Sequence, residues 1–443
     1  MKLSFHGGAR EVTGAAHLIE SGPTKILIDC GLFQGSQDCD ELNFQPFRFM
    51  PAEIAAVIVT HAHLDHVGRI PKLIRDGFSG AIYSTPATRE LAAFILEDAL
   101  SLSERRGNEL YGAGDIAGAM ARWKPLAYRE PVEIGGVEFM LRDAGHILGS
   151  ALVELWAEDK HFLFSGDLGN VPSVLLPPPE VPKDIEYMVV ESAYGSRVHE
   201  SAEERVLKLE RAVEDAAARA GTLLVPAFAT ERTQDILHLL NEMVHQRRVP
   251  VMPMFVDSPL AIRITGVYDK YASSYRDDIR ALLREHPHLF QFRRLRFTPS
   301  VEESKSINDV PPPKVVIAGS GMMSGGRILH HARRYLADPK SILLMIGYQA
   351  GGSLGRRLID GEKLVKILGE EVRVVCEVRK INGFSAHADN PQLFSFVERN
   401  RDTLKRVFVV QGEEAQALYL AQEIKDRLGI QADAPTMYDT VEL

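Results

Sequence analysis

The run His61-Ala62-His63-Leu64-Asp65-His66 follows the apolar stretch AAVIVT with no spacer. The apolar stretch reads as a buried strand. Its end must therefore open where three imidazoles and a carboxylate can be accommodated. Strand ends and the loops beyond them are where rigid scaffolds assemble sites. Imidazole and carboxylate together suit zinc, and a set without thiolate fits a catalytic rather than a structural centre. A polar loop with scattered histidines is the bland alternative, and so dense a pattern fits it poorly. Two isolated residues extend the pattern. His146 lies in DAGHILGSA and Asp167 in FLFSGDLGN, each after an apolar strand. Alone, either reads as a turn residue or a satisfied polar group; their order behind HxHxDH is what raises them. Asp29, in ILIDCG, ends another strand and suits a carboxylate that orients a ligand.

Organisation comes next. The 443 residues are too many for one ordinary domain. Strands and short turns alternate in the first half (KLSFHG, HLIES, KILIDCG). From about residue 201 the rhythm becomes strand, helix, strand, which predicts a parallel α/β layer. GTLLVPAF and PKVVIAGS are its apolar strands, and EERVLKLERAVEDAAARAG and ERTQDILHLLNEMVHQR are its helices. No apolar run approaches the roughly 20 residues of a membrane helix. Three cysteines, an odd number with no CxxC pair, argue against a disulfide framework and for a reducing cytoplasm.

The ordered set Asp29, HxHxDH, His146, Asp167 resembles the metallo-β-lactamase superfamily. Glu191 in VVESAYG, His387 in GFSAHAD, and the stretches PAFATERTQDIL, DSPLA and SGMMSGGR look like its β-CASP nuclease subfamily. That group includes bacterial ribonucleases and the endonuclease subunit of pre-mRNA 3′-end processing. The resemblance implies an α/β fold: an αββα sandwich with an inserted parallel-sheet β-CASP domain. Residues 1–200 and 366–443 would form the sandwich, and residues 201–365 the insertion. It implies two zinc ions per chain. His61, His63 and His146 would hold one, Asp65 and His66 the other, with Asp167 bridging. The function implied is a zinc-dependent ribonuclease that hydrolyses single-stranded RNA by attack of metal-activated water, with Asp65 and Asp29 also at the catalytic centre. His387 would act as general acid, since imidazole titrates near neutrality. Glu191 would hold it and favour its protonated form.

The inserted part offers phosphate holders. Gly319, Ser320, Gly321, Gly325 and Gly326 precede a helix and would leave backbone N–H groups open to an anion. Arg327 would add a bidentate donor. Thr230 reads as a helix cap and Arg232 as a further donor, with Arg356 and Arg357 beyond. There is no Gly-Lys-Ser/Thr and no good GxGxxG, so a nucleotide cofactor is not supported. His330 and His331 read as helical residues without chemistry. The net charge of −9 argues against a broadly basic surface; two zinc ions and the four arginines would instead make a positive slot. The implied partner is RNA, with no membrane and with a homodimer left open.

One position departs from the family pattern. Where relatives place a histidine before Gly-Glu, this chain has Gln411-Gly412-Glu413. An amide is a poor zinc ligand. Gln411 therefore weakens the second metal position and keeps two alternatives in view: a DNA-processing nuclease of the same branch, and a non-cleaving RNA-binding scaffold.

Overall fold

Strand Tyr187–Glu191 shows how the first unit is layered. Successive side chains of a strand point to opposite faces. Val189 enters a core shared with Phe5, Ile28, Phe162 and Phe408, while Met188 and Val190 enter another with Leu393, Val397, Leu420 and Ile424. Strand Arg406–Val410 alternates the same way, Phe408 and Val410 against Val407 and Val409. One core thus lies between two sheets and the other beneath helices Asn390–Glu398 and Glu414–Leu428.

The structure, a computed structural model, describes residues 1–35, 37–347, 349 and 352–443. Its chain divides into two compact units, residues 1–198 with 386–443, and residues 199–385. The first carries two seven-stranded sheets. In one, Thr440–Glu442, Lys2–Phe5, His17–Ser21 and Thr24–Ile28 run antiparallel, and Ala56–Ile58, Ala81–Ser84 and Trp123–Pro125 continue in parallel. In the other, Lys160–Phe164, Tyr187–Glu191 and Arg406–Val410 are parallel neighbours. Parallel strands bring their C-terminal ends to one edge, which is where ligands bind in α/β sheets.

The second unit carries a six-stranded sheet, parallel throughout, ordered Leu295–Phe297, Met254–Asp257, Lys314–Ala318, Thr222–Pro226, Ile342–Ile346, Glu377–Ile381. Lys314–Ala318, Thr222–Pro226 and Ile342–Ile346 are buried at every residue, as expected for parallel strands covered on both faces. The expected return to the sandwich at 366 is corrected here: the chain rejoins the first unit at Ala386. Glu377–Ile381 pairs in parallel with Ile342–Ile346, and that ladder keeps the segment in the inserted sheet. No helix among the described residues is long and apolar enough to cross a membrane, and Cys30 and Cys376 are buried thiols outside any disulfide among the described residues.

His17 sits in the inter-sheet region of the first unit, 3% exposed, edge-on to Phe5 and stacked on Phe164. Among the described residues neither ring nitrogen has a hydrogen-bond partner. Burial, then the nearby His66 and His6, push its pKa down to about 3. The unfolded chain, with an ordinary value of 6.5, takes up a proton below pH 6.5 that the folded core refuses. Stability therefore falls as pH drops from 6.5 towards 3, by about 2 kcal/mol at pH 5 from this group. His17→Leu is expected to remove that part of the acid sensitivity. The measurement is the urea midpoint at pH 7 and pH 5 for both proteins; an unchanged difference would contradict it.

Candidate metal centre

Each donor of the first unit lies at or just past the C-terminal end of a strand. Asp29 follows Thr24–Ile28, the HxHxDH run follows Ala56–Ile58, His146 follows Val137–Asp143 and Asp167 follows Lys160–Phe164. Glu191 is the last residue of Tyr187–Glu191, and Gln411 follows Arg406–Val410. Asp29 and Gln411 hold φ of 59° and 51°, a left-handed conformation rare outside glycine that concentrates at functional sites.

Four ligand atoms converge. His61, His63, His146 and Asp167 each offer one within 4.8 Å of the others. His61 Nε2 is 3.0 Å from His63 Nδ1, and His146 Nε2 is 3.3 Å from the same atom. Asp167 Oδ2 is 3.4 Å from His61 Nε2 and 3.5 Å from His146 Nε2. A tetrahedral shell with zinc–nitrogen bonds of about 2.0–2.1 Å has ligand atoms about 3.3 Å apart. The donor set therefore fits a divalent ion such as zinc in both chemistry and spacing.

His66 is held from behind. Its Nδ1 donates to Asp29 Oδ2 at 2.7 Å. Asp29 also accepts from the Thr60 amide (2.8 Å) and hydroxyl (2.7 Å). Thr60, the last residue of AAVIVT, escaped the sequence reading; its signal was a hydroxyl next to His61. Ser150 is a second omission, its Oγ accepting the His146 N–H at 3.0 Å. Gly31 passes so close that a Cβ there would lie 1.5 Å from the Asp65 carbonyl oxygen, so only glycine lets the two loops meet.

His387 stands beside this set. Its Nδ1 lies 3.1 and 3.2 Å from the two Glu191 oxygens, and 3.8 Å from Asp167 Oδ2. Glu191 is fully buried and also accepts from the Leu168 and Ala193 amides, at 2.8 and 3.2 Å. Burial works against a charged imidazole, yet the Glu191 and Asp167 carboxylates outweigh it and hold His387 up at about 9. Burial would likewise raise Asp167, but His66, His61 and His387 hold its carboxyl well below the usual range. His61 is pushed well below 6.5 by burial and by His66.

The expected second set, Asp65, His66 and Asp167, does not converge in this way: among the described residues only the four-residue set and Asp167–Glu191–His387 do. Gln411 stands there instead, its Nε2 2.8 Å from Asp167 Oδ1 and 3.0 Å from His66 Nε2.

The phosphate holders of the second unit are arranged differently from expectation. Glu231, not Thr230, occupies the cap position of helix Arg232–His245, and Thr230 is buried. All four arginines pair with carboxylates: Arg232 with Asp235, Arg327 with Asp257, Arg356 with Asp360 and Arg357 with Glu362. Each of the four thus has a carboxylate partner within its own unit, the Arg356 and Arg357 pairs at the surface and the Arg232 pair buried. Arg327 also donates to the Thr298 and Pro299 carbonyls. In the loop itself the Ser320, Met323 and Ser324 amides donate to Gly325 O, Ser320 O and Ser320 Oγ. A Cβ at Gly321 would meet the Phe228 ring at 2.6 Å, and Gly326 has φ 77° with Gly319 O 2.4 Å from its would-be Cβ. Close packing explains these two glycines without a ligand.

His331 has a structural part. Its Nε2 bonds Asp257 Oδ2 at 2.7 Å, and Asp257 also accepts from Ser304, Thr298 and Arg327 at 2.7, 2.9 and 2.7 Å. Burial opposes that charge, but the hydrogen bonds, led by His331, hold the Asp257 carboxyl down at about 2. Asp257→Ala strands Arg327 and His331 and should cost about 3–5 kcal/mol. Denaturant unfolding measures this; a loss under 1 kcal/mol would refute it.

Two facing sheets that carry such a donor set at their strand ends define a metallo-hydrolase. Residues 9–227 match the metallo-beta-lactamase superfamily, 233–358 the Beta-Casp domain, and 371–435 the Zn-dependent metallo-hydrolase RNA specificity domain. A curated relative, "Ribonuclease TTHA0252" of Thermus thermophilus, is 39% identical over 422 residues, 95% of each chain. "Transcription termination factor FttA" of Methanosarcina mazei is 31% identical, matching all of this chain and 72% of that protein. A crystal structure of a protein of unknown function from Enterococcus faecalis shares the fold at TM-score 0.59 and 12% identity, covering 100% of this chain and 99% of the other. The chain belongs to the metallo-β-lactamase superfamily, in its β-CASP nuclease subfamily. It is accordingly a metal-dependent hydrolase of the nuclease type.

Proposed function

We propose that the protein is a ribonuclease that hydrolyses phosphodiester bonds of single-stranded RNA at a zinc centre held by His61, His63, His146 and Asp167. The observation that carries this reading is the convergence of those four ligand atoms beside the His387–Glu191 pair. The relative named a ribonuclease, and the match to an RNA specificity domain, favour RNA over DNA.

His61, His63, His146 and Asp167 would hold a divalent ion, which would supply Lewis acidity toward the phosphate and the attacking water. The chain's own groups handle geometry and protons. Asp167 supplies the single carboxylate of the four-ligand set and balances part of the ion's charge. His387 donates Nδ1–H to Glu191, which aims Nε2 away from that carboxylate. Nε2–H then protonates the oxygen that leaves phosphorus as the P–O bond breaks. A divalent ion held by His61, His63, His146 and Asp167 would oppose the protonated ring, because like charge disfavours it, and would ease its release of the proton. Glu191 keeps the acid charged until transfer and fixes its ring.

The test is cleavage of matched labelled RNA and DNA oligonucleotides by zinc-loaded protein, with His63→Ala as the blank. Cleavage of RNA alone is expected. Faster cleavage of DNA would replace this reading with that of a DNA-processing nuclease. Retention of RNA without cleavage by metal-loaded protein would leave the scaffold reading.

A further inference from the structure

We infer that the Gln411 side-chain amide takes the place of a second metal ion, so that the centre holds one ion per chain. The inference rests on the proposed metal centre and concerns its stoichiometry.

Asp167 is divided between two neighbours. Oδ2 faces the nitrogens of His61 and His146, at 3.4 and 3.5 Å. Oδ1 faces the other way, 3.4 Å from His66 Nε2. An ion bridged by Asp167 to the first would have to bind Oδ1 and His66 Nε2 together, within about 2.0–2.2 Å of each. Gln411 Nε2 meets those same two atoms, at 2.8 and 3.0 Å.

The hydrogen-bond chain fixes which way the amide faces. Asp167 Oδ1 is an ionised acceptor, so it calls for the NH₂ end of the amide; the carbonyl end would be repelled. The same amide nitrogen stands against His66 Nε2, while His66 Nδ1 is bonded to Asp29 Oδ2 on the far side of the ring. The amide thus presents its two partly positive hydrogens where a cation would present charge. Its nitrogen, with the lone pair delocalised into the carbonyl, does not ligate metal.

The side chain is also held in place. Gln411 is 4% exposed, its backbone N–H donates to the Gly8 carbonyl at 2.6 Å, and a Cβ at Gly8 would lie 3.2 Å from Gln411 Cγ. Swinging the amide aside to admit an ion would break its buried hydrogen bond to Asp167 Oδ1. Asp65, the remaining candidate ligand, joins no converging set among the described residues.

The experiment measures zinc per chain by mass spectrometry after equilibrium dialysis, and cobalt per chain by visible titration. The proteins are the full chain, Gln411→His and Gln411→Glu, with His63→Ala as control and a thermal melt confirming that each is folded. Both substitutions put a ligand atom where the amide nitrogen stands, and glutamate is its near-isostere. The expected result is one equivalent in the unsubstituted protein, two in at least one Gln411 variant, and loss of the single equivalent in His63→Ala. Two equivalents in the unsubstituted protein would overturn the inference while leaving the four-ligand centre intact. One equivalent in all three folded proteins would also overturn it, since something other than the amide would then exclude the second ion. No metal in any of them, including the unsubstituted chain, would overturn the centre itself.

Discussion

Asp167→Ala is expected to strip the bound metal and lower cleavage about 10³-fold, equivalent to about 4 kcal/mol of transition-state stabilisation. Its two oxygens face His61, His66, His146, His387 and Gln411. One oxygen lies among the imidazoles of the four-ligand set, and the other accepts the Gln411 amide. It is the only anion in that set. Without it, three neutral imidazoles face a divalent ion with no charge to offset it. The folded state should survive, because the cores of the first unit lie elsewhere, between the sheets and under the helices. Metal content and single-turnover cleavage, read alongside a thermal melt, check this. Full metal content in Asp167→Ala would refute the ligand role.

His387→Gln is expected to slow the chemical step by about 10²–10⁴-fold, the usual worth of a positioned proton donor, while metal content stays unchanged. That contrast separates a proton donor from a ligand. Glu191→Gln should act more mildly and through His387. Removing the carboxylate removes the main force that holds the imidazole charged, so the His387 pKa falls. Activity that needs the protonated ring is lost as pH rises through that pKa. The alkaline limb of the pH–rate profile should therefore move to lower pH in Glu191→Gln, and should vanish in His387→Gln. A limb that stays in place in both variants would assign the titration to another group.

The residues that converge at the candidate metal centre were legible in the sequence because they stand at strand ends. AAVIVT and the strands before His146 and Asp167 show plain apolar patterning, and a polar cluster after a buried strand has few structural excuses. Thr60 and Ser150 were not legible, since a hydroxyl at a strand end looks like any turn residue until its partner is known. The arginines misled for the opposite reason. Arg327 beside a glycine-rich loop suggests an anion, but Asp257, 70 residues earlier, takes it. The boundary at 366 failed because Glu377–Ile381 resembles a strand of either unit, and only its pairing with Ile342–Ile346 decides between them.

By itself the sequence determined which chemistry the chain carries: imidazoles and carboxylates in a fixed order, each at the end of an apolar strand, and an amide at 411. Local patterning suffices for that, because burial and periodicity are properties of short segments. The tertiary structure alone decided who faces whom. Glu191 reaches His387 across 196 positions and Gln411 reaches His66 across 345. Contacts so remote are set by strand pairing and sheet packing. The amide at 411 could be read as a missing ligand from the chain alone; that it bonds both groups a second ion would need is a fact of the fold.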